Sequence, residues 1–341
     1  MIAVFASMSP SKNKDGKGAI ERAYDDETRK ELREKLKFVD NISSMDDIFS
    51  RKEEMSNVSV IFSTWGMPAL SSQEIDEYFP RLKAVFYAAG SVQRFARPFL
   101  EKGVNVFSAA DANAIPVIEY TVAQIILAGK GFYQSARIYG SQGDHGRAKE
   151  YFSNLPGNYG ISVGIIGAGK IGGGVLEKLM DYDIKTKVYD PYLPPEKAKA
   201  LGAQQCSLEE LFESCFIVSN HMANNEHTQR MLRYEHFSRM DDYGVFINTG
   251  RGAQVCEEGL ARAMSEKPGR TALLDVTFPE PVQAESPFFQ LENVILTPHI
   301  AGSAGNEVAR MGRFMARECE AFLEGKPLKY EVTLKMLETM A

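Results

Sequence analysis

Cysteine is scarce in this sequence, which has four in 341 residues and no CxxC pair among them. Zinc sites and disulfide scaffolds depend on clustered cysteines, so we expect reduced thiols and no metal site. An excess of basic charge is also lacking, because 39 Lys and Arg residues face 45 Asp and Glu residues and leave a net charge of −6. Since proteins bind nucleic acid largely by neutralising phosphates, we expect no nucleic-acid partner.

Long apolar runs are missing as well. The most apolar stretch in the middle of the chain, residues 117–127, is interrupted by polar side chains and falls short of the roughly 20 apolar residues that span a bilayer. The first residues form an apolar run with no basic residue ahead of it, which is not the pattern of a signal peptide. We therefore expect no membrane partner and a cytoplasmic location.

The sequence does contain a regular alternation of short apolar runs with stretches of helical periodicity, which is typical of an α/β protein with a mainly parallel sheet. Its length suits about two domains. In the first third, strands are predicted at residues 2–6, 58–62, 84–87 and 104–107, with a charged helix over 19–36. An apolar helix is predicted over 117–136, with Pro116 in its first turn, followed by a polar excursion over 139–159.

From residue 161 to 300 the alternation is regular, and six apolar runs predict six strands of one doubly wound Rossmann domain. The runs are ISVGIIG, KTKVYD, CFIVSN, GVFINT, TALLDV and NVILTP. A last helix is predicted over 306–323, and together with the tail it is too short to fold alone. We therefore expect this segment to return to the N-terminal domain, which makes that domain discontinuous.

A GxGxxG motif, GAGKIG from Gly167 to Gly172, closes the first of these strands and opens a helix. In a dinucleotide site, Gly167 permits a tight turn, Gly169 lets the backbone approach a pyrophosphate, and Gly172 permits close packing of helix on strand. The helix N-terminus offers N–H groups and a positive dipole end to the phosphates. The alternative is that these glycines only form a turn in a flavodoxin-like or methyltransferase-like sheet.

The next strand ends in Asp190, which lies 190 − 172 = 18 residues after the last glycine. A ribose-binding acid is expected about 20 residues after the motif. Its carboxylate would accept hydrogen bonds from both ribose hydroxyls and would repel a 2′-phosphate, and no arginine follows it to reverse that preference. The sequence therefore predicts NAD as the cofactor, in preference to NADP.

Three polar residues, Arg251, Glu280 and His299, follow successive predicted strands. Because ligands bind outside the carboxyl ends of strands in such sheets, we expect all three to face one crevice. The guanidinium can hold the carboxylate of a 2-oxo acid, the imidazole can exchange a proton with its carbonyl oxygen, and the glutamate can stabilise and orient the imidazolium. Each also has a plain alternative, as a surface arginine, a turn glutamate or a strand-end histidine.

The segments that carry these residues are NTGRGAQVCEEGL, LLDVTFPEP and LTPHIAGS. Together with GIIGAGKIG they resemble the successive signatures of the D-isomer-specific 2-hydroxyacid dehydrogenases. The resemblance implies that Arg251, Glu280 and His299 are catalytic, that Asp275 contacts the nicotinamide end, and that the protein has a two-domain, usually dimeric architecture. IPVIEYTVAQIILA resembles the interdomain helix of that family, which implies a flavodoxin-like α/β substrate domain of residues 1–110 and 305–341 and an NAD-binding domain of residues 111–304.

Several other residues are candidate contacts. His221 follows a predicted strand, and the resemblance places its segment beside the cofactor, although it could instead be structural or a second acid–base group. Trp65 would either line the substrate pocket or pack between domains. Segment 88–94 resembles the substrate-carboxylate loop of the family in its position and small residues, whose N–H groups can cup a carboxylate. The remaining cofactor candidates are Lys170, Ile171, Thr249 and Gly250, and the remaining substrate candidates are Ala89, Gly90 and Ser91.

We therefore expect a homodimeric, NAD-dependent oxidoreductase that interconverts a small 2-oxo acid and its D-2-hydroxy acid, with His299 as general acid and base. A second class is a binding protein on the same fold in which NADH controls association rather than turnover. Bound NADH that no 2-oxo acid oxidises would favour that alternative. A third class is an enzyme that uses bound NAD as adenosylhomocysteine hydrolase does, but Arg251 and Glu280 would have no evident role in it.

Overall fold

Two sheets organise the protein, one in each of two units of the chain. The computed structural model describes residues 1–338. The first unit contains Met1–Ala114 and the segment that starts at Ser303, and the second contains Ile115–Gly302. The chain therefore leaves the first unit after residue 114 and returns after residue 302. The predicted crossings lie near residues 110 and 304.

The first run of the chain alternates strands with short helices, and capping side chains set the starts of three of these helices. Ser71 Oγ accepts a hydrogen bond from Glu74 N–H at 3.2 Å, and the Glu74 carboxylate accepts one from Ser71 N–H at 2.7 Å. The single helix predicted over 19–36 is wrong, because the chain leaves a first helix at Tyr24 and Asp25 then caps a second one through Thr28 N–H. The elements are β1 (Ile2–Ala6), α1 (Ala19–Ala23), α2 (Asp26–Lys35), β2 (Lys37–Phe38), α3 (Met45–Ser50), α4 (Lys52–Met55), β3 (Val60–Ser63), α5 (Ser72–Tyr78), β4 (Ala84–Tyr87), α6 (Ala96–Glu101) and β5 (Asn105–Ser108).

A long helix, α7 (Ala110–Gly129), carries the chain into the second unit. Pro116 lies inside this helix, so the expectation that it occupies the first turn is wrong. Gly131 then adopts φ 61°, a left-handed conformation that glycine takes readily, and separates α7 from α8 (Phe132–Gln142) and α9 (His145–Ser153). This break interrupts the helix predicted over 117–136, and much of the predicted excursion over 139–159 is helical.

By length and composition alone, α7 would suffice to cross a membrane, whereas the sequence analysis judged its apolar stretch too short. Half of its most apolar window is nevertheless buried within the fold. Its Thr121 Oγ1 also lies 3.2 Å from Thr249 Oγ1 in the second unit. These are the features of a helix that serves as part of a protein core.

The rest of the second unit winds around one parallel sheet. Its strands follow the order β12, β11, β10, β9, β6, β7, β8, so the chain runs from β6 to one edge and then from β9 to the other, as predicted for a doubly wound fold. Seven strands are present rather than the six predicted, because β8 is a three-residue edge strand, AQQ, without an apolar run. The elements are β6 (Ser162–Ile166), α10 (Lys170–Leu179), β7 (Lys185–Tyr189), α11 (Pro195–Ala200), β8 (Ala203–Gln205), α12 (Leu208–Ser214), β9 (Ile217–Asn220), α13 (Tyr234–Phe237), β10 (Val245–Asn248), α14 (Glu257–Glu266), β11 (Thr271–Leu274) and β12 (Val294–Leu296).

The C-terminal segment rejoins the first unit through α15 (Asn306–Leu323) and β13 (Glu331–Val332). The first sheet has the order β13, β5, β4, β3, β1, β2, and only β13 pairs antiparallel to its neighbour. Gly312 lets α15 pack directly on α1, because a Cβ there would lie 1.8 Å from Ala23 O. The first unit is therefore discontinuous, as the sequence predicts.

Apolar side chains cover both faces of the sheet in the second unit. Ile165 and Ile166, which are neighbours in β6, belong to different core clusters because successive strand residues point to opposite faces. On one face, Gly174 lets α10 approach α7, since a Cβ there would lie 2.4 Å from Ile118 Cδ1. With both faces packed, the loops at the strand ends are the parts of this unit that remain available to ligands.

Candidate active site

The candidate residues of the second unit occupy loops that follow the parallel strands. Gly167 follows β6, His221 follows β9, Thr249 follows β10, Asp275 follows β11 and His299 comes after β12. Because parallel strands end at the same edge of a sheet, these loops are neighbours. The strand order reverses between β6 and β9, which is where doubly wound sheets bind ligands.

The glycines of the GxGxxG motif differ in what surrounds them. Gly167 has φ +84°, and a Cβ there would lie 2.9 Å from His221 O. A Cβ at Gly172 would lie 1.9 Å from Gly167 O, so the helix can pack on the turn only without a side chain. At Gly169, by contrast, a Cβ would have no neighbour within 4 Å. The first and third glycines are required by the fold, while the middle one leaves open space at the start of α10.

Asp190 ties the end of β7 to the glycine turn. One carboxylate oxygen accepts a hydrogen bond from Ala168 N–H at 2.8 Å, and the other accepts one from Tyr192 N–H at 2.8 Å. Each oxygen retains a lone pair for a further donor. The open backbone at Gly169 and this fixed carboxylate fit a pyrophosphate and a ribose, so the residues present suit NAD. Lys170 and Ile171 lie in the first turn of α10.

His299 and Glu280 form a direct pair. The Nδ1 atom of His299 lies 2.7 Å from Oε1 of Glu280, and both side chains are a little under half exposed, at 45% and 43%. No partner for the other ring nitrogen, Nε2, is present among residues 1–338. The pairing predicted from two separate strand ends is therefore present, and Nε2 is left for a ligand.

The backbone of His299 is held in an unusual conformation by Asp275. His299 has φ 54°, in the left-handed region, and its N–H donates to the Asp275 carbonyl at 3.0 Å. The buried Asp275 carboxylate accepts from Ile300 N–H, Ala301 N–H and Thr297 Oγ1 at 2.6 to 2.9 Å. The Asp275 carboxylate thus holds the segment that carries His299, while its backbone N–H donates to Asn248 O at 3.0 Å.

Arg251 is half-buried in the loop that follows β10. Its Nη1 donates to Gly250 O at 2.7 Å. Burial lowers the pKa of Arg251 from its ordinary value, and the negative charge of Glu280 opposes that shift. Gly252 brings the Arg251 loop against the loop that leads to Glu280, since a Cβ at Gly252 would lie 2.0 Å from the carbonyl carbon of Thr277. The loop that carries Arg251 is therefore in contact with the loop that leads to Glu280, and Glu280 in turn is paired with His299.

His221 is a buried residue with two hydroxyl neighbours. Its Nε2 lies 2.9 Å from Ser219 Oγ, and its Nδ1 lies 3.4 Å from Thr249 Oγ1. Burial lowers the pKa of His221 to about 3, so the ring is neutral near pH 7. A neutral, enclosed imidazole is poorly suited to be a second acid–base group, and its place after β9 leaves it beside the glycine turn.

The substrate candidates lie in the first unit, after β3 and β4. Trp65 is 37% exposed, and its carbonyl accepts a hydrogen bond from Ser7 Oγ at 2.6 Å. Ala89 is buried and Ser91 exposed, and the carbonyls of Ala89 and Gly90 both accept from Ser108 Oγ. Across residues 1–338, the N–H groups of Gly90 and Ser91 have no acceptor, so they are available to an anion.

Sequence reasoning missed three buried amides beneath Arg251. Asn220 ends β9, Asn248 ends β10, and Gln254 lies three residues after Arg251. They hydrogen-bond to one another and to the Arg251 backbone. Asn220 and Asn248 each end an apolar run, so their position was a usable signal of the kind that selected Arg251, whereas Gln254 has no such signal. In the part of the chain that the structure describes, no group of three or more His, Cys, Asp or Glu side chains could hold a metal.

Comparison with known proteins gives one family and a common fold. Residues 125–301, more than half of the chain, match the family model described as D-isomer specific 2-hydroxyacid dehydrogenase, NAD binding domain. A glyoxylate reductase of Korarchaeum cryptofilum is 29% identical over 255 residues, which are 74% of this chain and 76% of that protein. A D-3-phosphoglycerate dehydrogenase of Archaeoglobus fulgidus is 27% identical over 238 residues, which are 70% of this chain but only 44% of that longer protein.

Among solved structures, D-mandelate dehydrogenase of Rhodotorula graminis matches with a TM-score of 0.79 at 21% identity, over 97% of each chain. This similarity establishes the fold of both units over nearly all of the chain. The family model in turn identifies NAD as the cofactor of the second unit. The prediction that the cofactor is NAD is confirmed, while the roles of the glycine motif and Asp190 stay predictions.

Proposed function

Since the chain belongs to the D-isomer specific 2-hydroxyacid dehydrogenase family, we propose that it is an NAD-dependent oxidoreductase that interconverts a small 2-oxo acid and its D-2-hydroxy acid. The observation that carries the proposal is the pair of His299 and Glu280, with Arg251 nearby, in the unit that binds NAD. Reduction of a 2-oxo acid requires a proton donor, a negative charge that stabilises the protonated donor, and a cation that binds the substrate carboxylate.

His299 is the general acid and base in this proposal. Its Nδ1 is bonded to Glu280, so the exchange of a proton with the substrate falls to Nε2. During reduction, Nε2–H gives its proton to the carbonyl oxygen, and during oxidation the neutral Nε2 takes the hydroxyl proton back. The Glu280 carboxylate stabilises the imidazolium form and holds the ring in one orientation. When bound, NADH supplies the hydride to C2 of the substrate during reduction, and NAD⁺ accepts it during oxidation.

Arg251 binds the substrate in this proposal. The Nη1 atom donates to Gly250 O, which leaves other donors of the planar guanidinium for the carboxylate and carbonyl oxygens of the substrate. For Ala89, Gly90 and Ser91 we propose carboxylate binding through backbone N–H groups. Asp275 holds the segment of His299, which keeps the imidazole in place while it exchanges protons.

We also propose that the protein is a cytoplasmic homodimer. Helices α8 and α9 expose three large aromatic side chains, Phe132, Tyr139 and Phe152, each more than two-fifths accessible. Contiguous exposed apolar surface marks protein interfaces, so we propose these two helices as the contact between subunits. All four cysteines are free thiols, as suits a reducing compartment. Analytical ultracentrifugation tests the dimer: Tyr139→Glu should shift the species to the monomer mass, and a monomeric parent protein would contradict the proposal.

Oxidation of NADH by a graded panel of 2-oxo acids tests the enzymatic proposal. The panel runs from glyoxylate to branched and bulky aromatic acids, so that activity and pocket size are measured together. At least one member should oxidise NADH, and Glu280→Gln should slow that reaction because the imidazolium loses its carboxylate. NADH that binds tightly but is oxidised by no member of the panel would favour a regulatory, NADH-sensing protein instead.

A further inference from the structure

Asn220, Asn248 and Gln254 form a cluster of buried amides under the loop that carries Arg251, here called the amide cluster. Their exposed fractions are 0%, 1% and 0%. The Asn220 Nδ2 donates to Asn248 Oδ1 at 3.0 Å and to Gln254 Oε1 at 2.7 Å. The three amides thus form one hydrogen-bonded network that is buried from solvent. Two of them end strands, and the third lies in the following turn.

The amide cluster holds both polar groups of the Arg251 backbone. The N–H of Arg251 donates to Gln254 Oε1 at 3.2 Å, and its carbonyl accepts from Asn248 Nδ2 at 3.2 Å. The preceding residue is held as well, because Gly250 N–H donates to Asn248 Oδ1 at 3.1 Å. A Cβ at Gly250 would lie 3.0 Å from Gln254 Oε1, so the loop rests closely on the cluster. These contacts fix the position of the Arg251 backbone, from which the guanidinium extends.

Gln254 also connects this loop to the one after β9. Its Nε2 donates to Met222 O at 2.8 Å and to Ala223 O at 2.9 Å, while its Oε1 accepts from Asn220 and Arg251. Every hydrogen-bonding function of the Gln254 amide is therefore used. A fully satisfied buried network of this kind is rigid, because any displacement leaves a buried polar group without a partner.

We propose that Gln254 and Asn248, linked through Asn220, are positioning residues that fix the guanidinium of Arg251 for the substrate carboxylate. The proposal rests on the substrate-binding role proposed for Arg251. None of the three amides needs to touch the substrate. Their effect on catalysis passes through the placement of one loop, and displacement of a substrate-binding group by about 1 Å can lower a rate about 100-fold.

A matched pair of substitutions separates positioning from stability. Gln254→Met removes the amide while preserving side-chain length. Gln134→Met does the same to a glutamine that is also buried in the second unit, where Nε2 donates to Gly269 O, Arg270 O and Thr271 Oγ1. We expect Gln254→Met to lower kcat/KM for the most active 2-oxo acid about 10- to 100-fold with little change in NADH affinity. The Gln134→Met control should lose thermal stability but keep its kcat/KM.

A double-mutant cycle then tests whether the effect passes through Arg251. In an Arg251→Ala background, Gln254→Met should cause no further loss of kcat/KM, because the group that it positions is absent. The proposal would be overturned if the kcat/KM loss of the double variant equalled the product of the two single losses. An unchanged kcat/KM in Gln254→Met alone would also overturn it. Should Gln254→Met fail to fold, Asn248→Asp, which keeps the acceptor and loses the donor to Arg251 O, replaces it in the cycle; if it too fails to fold, the amide cluster is only structural.

Different results would exclude the substrate role of Arg251 and the positioning role of the amide cluster. If Arg251→Ala alone keeps the full kcat/KM, the substrate role proposed for Arg251 is wrong, and the positioning role falls with it. If Arg251→Ala impairs turnover but Gln254→Met and Asn248→Asp do not, only the positioning role is wrong. Saturation with NADH, followed by quenching of protein fluorescence, confirms in each variant that the cofactor site is intact.

Discussion

The imidazole of His299 uses its Nδ1 atom to bond Glu280 at 2.7 Å, although 19 residues of sequence separate the two side chains. The contact depends on the loop after β11 reaching the loop after β12, and those strands are neighbours in the sheet. Because the pair uses Nδ1, it determines which ring nitrogen is left for the substrate. It also places a negative charge where a protonated ring needs one.

Removal of the His299 imidazole should lower turnover about 10²- to 10⁴-fold, which is the usual contribution of general acid–base catalysis. His299→Ala should bind NADH as the parent protein does, because the glycine turn and Asp190 are untouched. The measurement is steady-state NADH oxidation alongside an NADH titration. His145→Ala, at the start of α9, is the control and should keep full activity. Undiminished turnover in His299→Ala would exclude it as the acid.

A methyl group at Gly169 should block the cofactor without disturbing the fold. The site has no neighbour within 4 Å and a φ of −67°, so alanine is tolerated there, but the methyl group would occupy space that a pyrophosphate needs. Gly169→Ala should therefore raise the dissociation constant of NADH at least about tenfold, or about 1.4 kcal/mol. Gly140→Ala, in the open on α8, should leave it unchanged. Equal affinities of the two variants for NADH would show that the pyrophosphate does not bind at Gly169.

Asp190 should determine the preference for NADH over NADPH. Its carboxylate can accept hydrogen bonds from the ribose hydroxyls and repels a 2′-phosphate. Hydrogen bonds to charged groups contribute about 1.5 to 3 kcal/mol, so Asp190→Ala should lower the ratio of NADH to NADPH efficiency roughly 10- to 100-fold. The ratio of kcat/KM values is the readout, with Asp181→Ala as a control at an exposed aspartate. An unchanged ratio would remove Asp190 from the ribose site.

His221 should make the protein less stable in acid. Its pKa is about 3 in the folded state and near 6.5 in an unfolded chain, so between these values the unfolded state binds a proton that the folded state does not. Stability is therefore full above about pH 6.5 and falls on acidification, by about 1.4 kcal/mol per pH unit from this group. Urea unfolding at several pH values should show a flatter dependence for His221→Gln. Parallel curves would show that His221 is protonated in the folded protein.

Much of this site could be predicted because its residues follow strands that are visible as apolar runs. Arg251, Glu280 and His299 each come shortly after such a run, and parallel strands bring their ends to one edge. The GxGxxG motif was equally informative, because Gly167 and Gly172 are positions where the backbone excludes any side chain.

The rest depended on contacts that leave no pattern in a single sequence. In the amide cluster, Asn220 bonds to Gln254 although 34 positions of sequence separate them, and this spacing does not predict the contact. The break at Tyr24 results from a cap formed by Asp25, within a stretch whose composition suits one continuous helix. The edge strand β8 has no apolar run, so only its pairing with β7 identifies it.

Transfer of deuterium tests the central claim most directly. The purified protein is given NADH that carries deuterium at both C4 positions of the nicotinamide, together with the most active 2-oxo acid of the panel. The product is resolved by chiral chromatography and mass spectrometry. We predict a D-2-hydroxy acid that carries one deuterium at C2, formed by the parent protein and almost absent with His299→Ala. A product of L configuration, or one without deuterium at C2, would contradict the account.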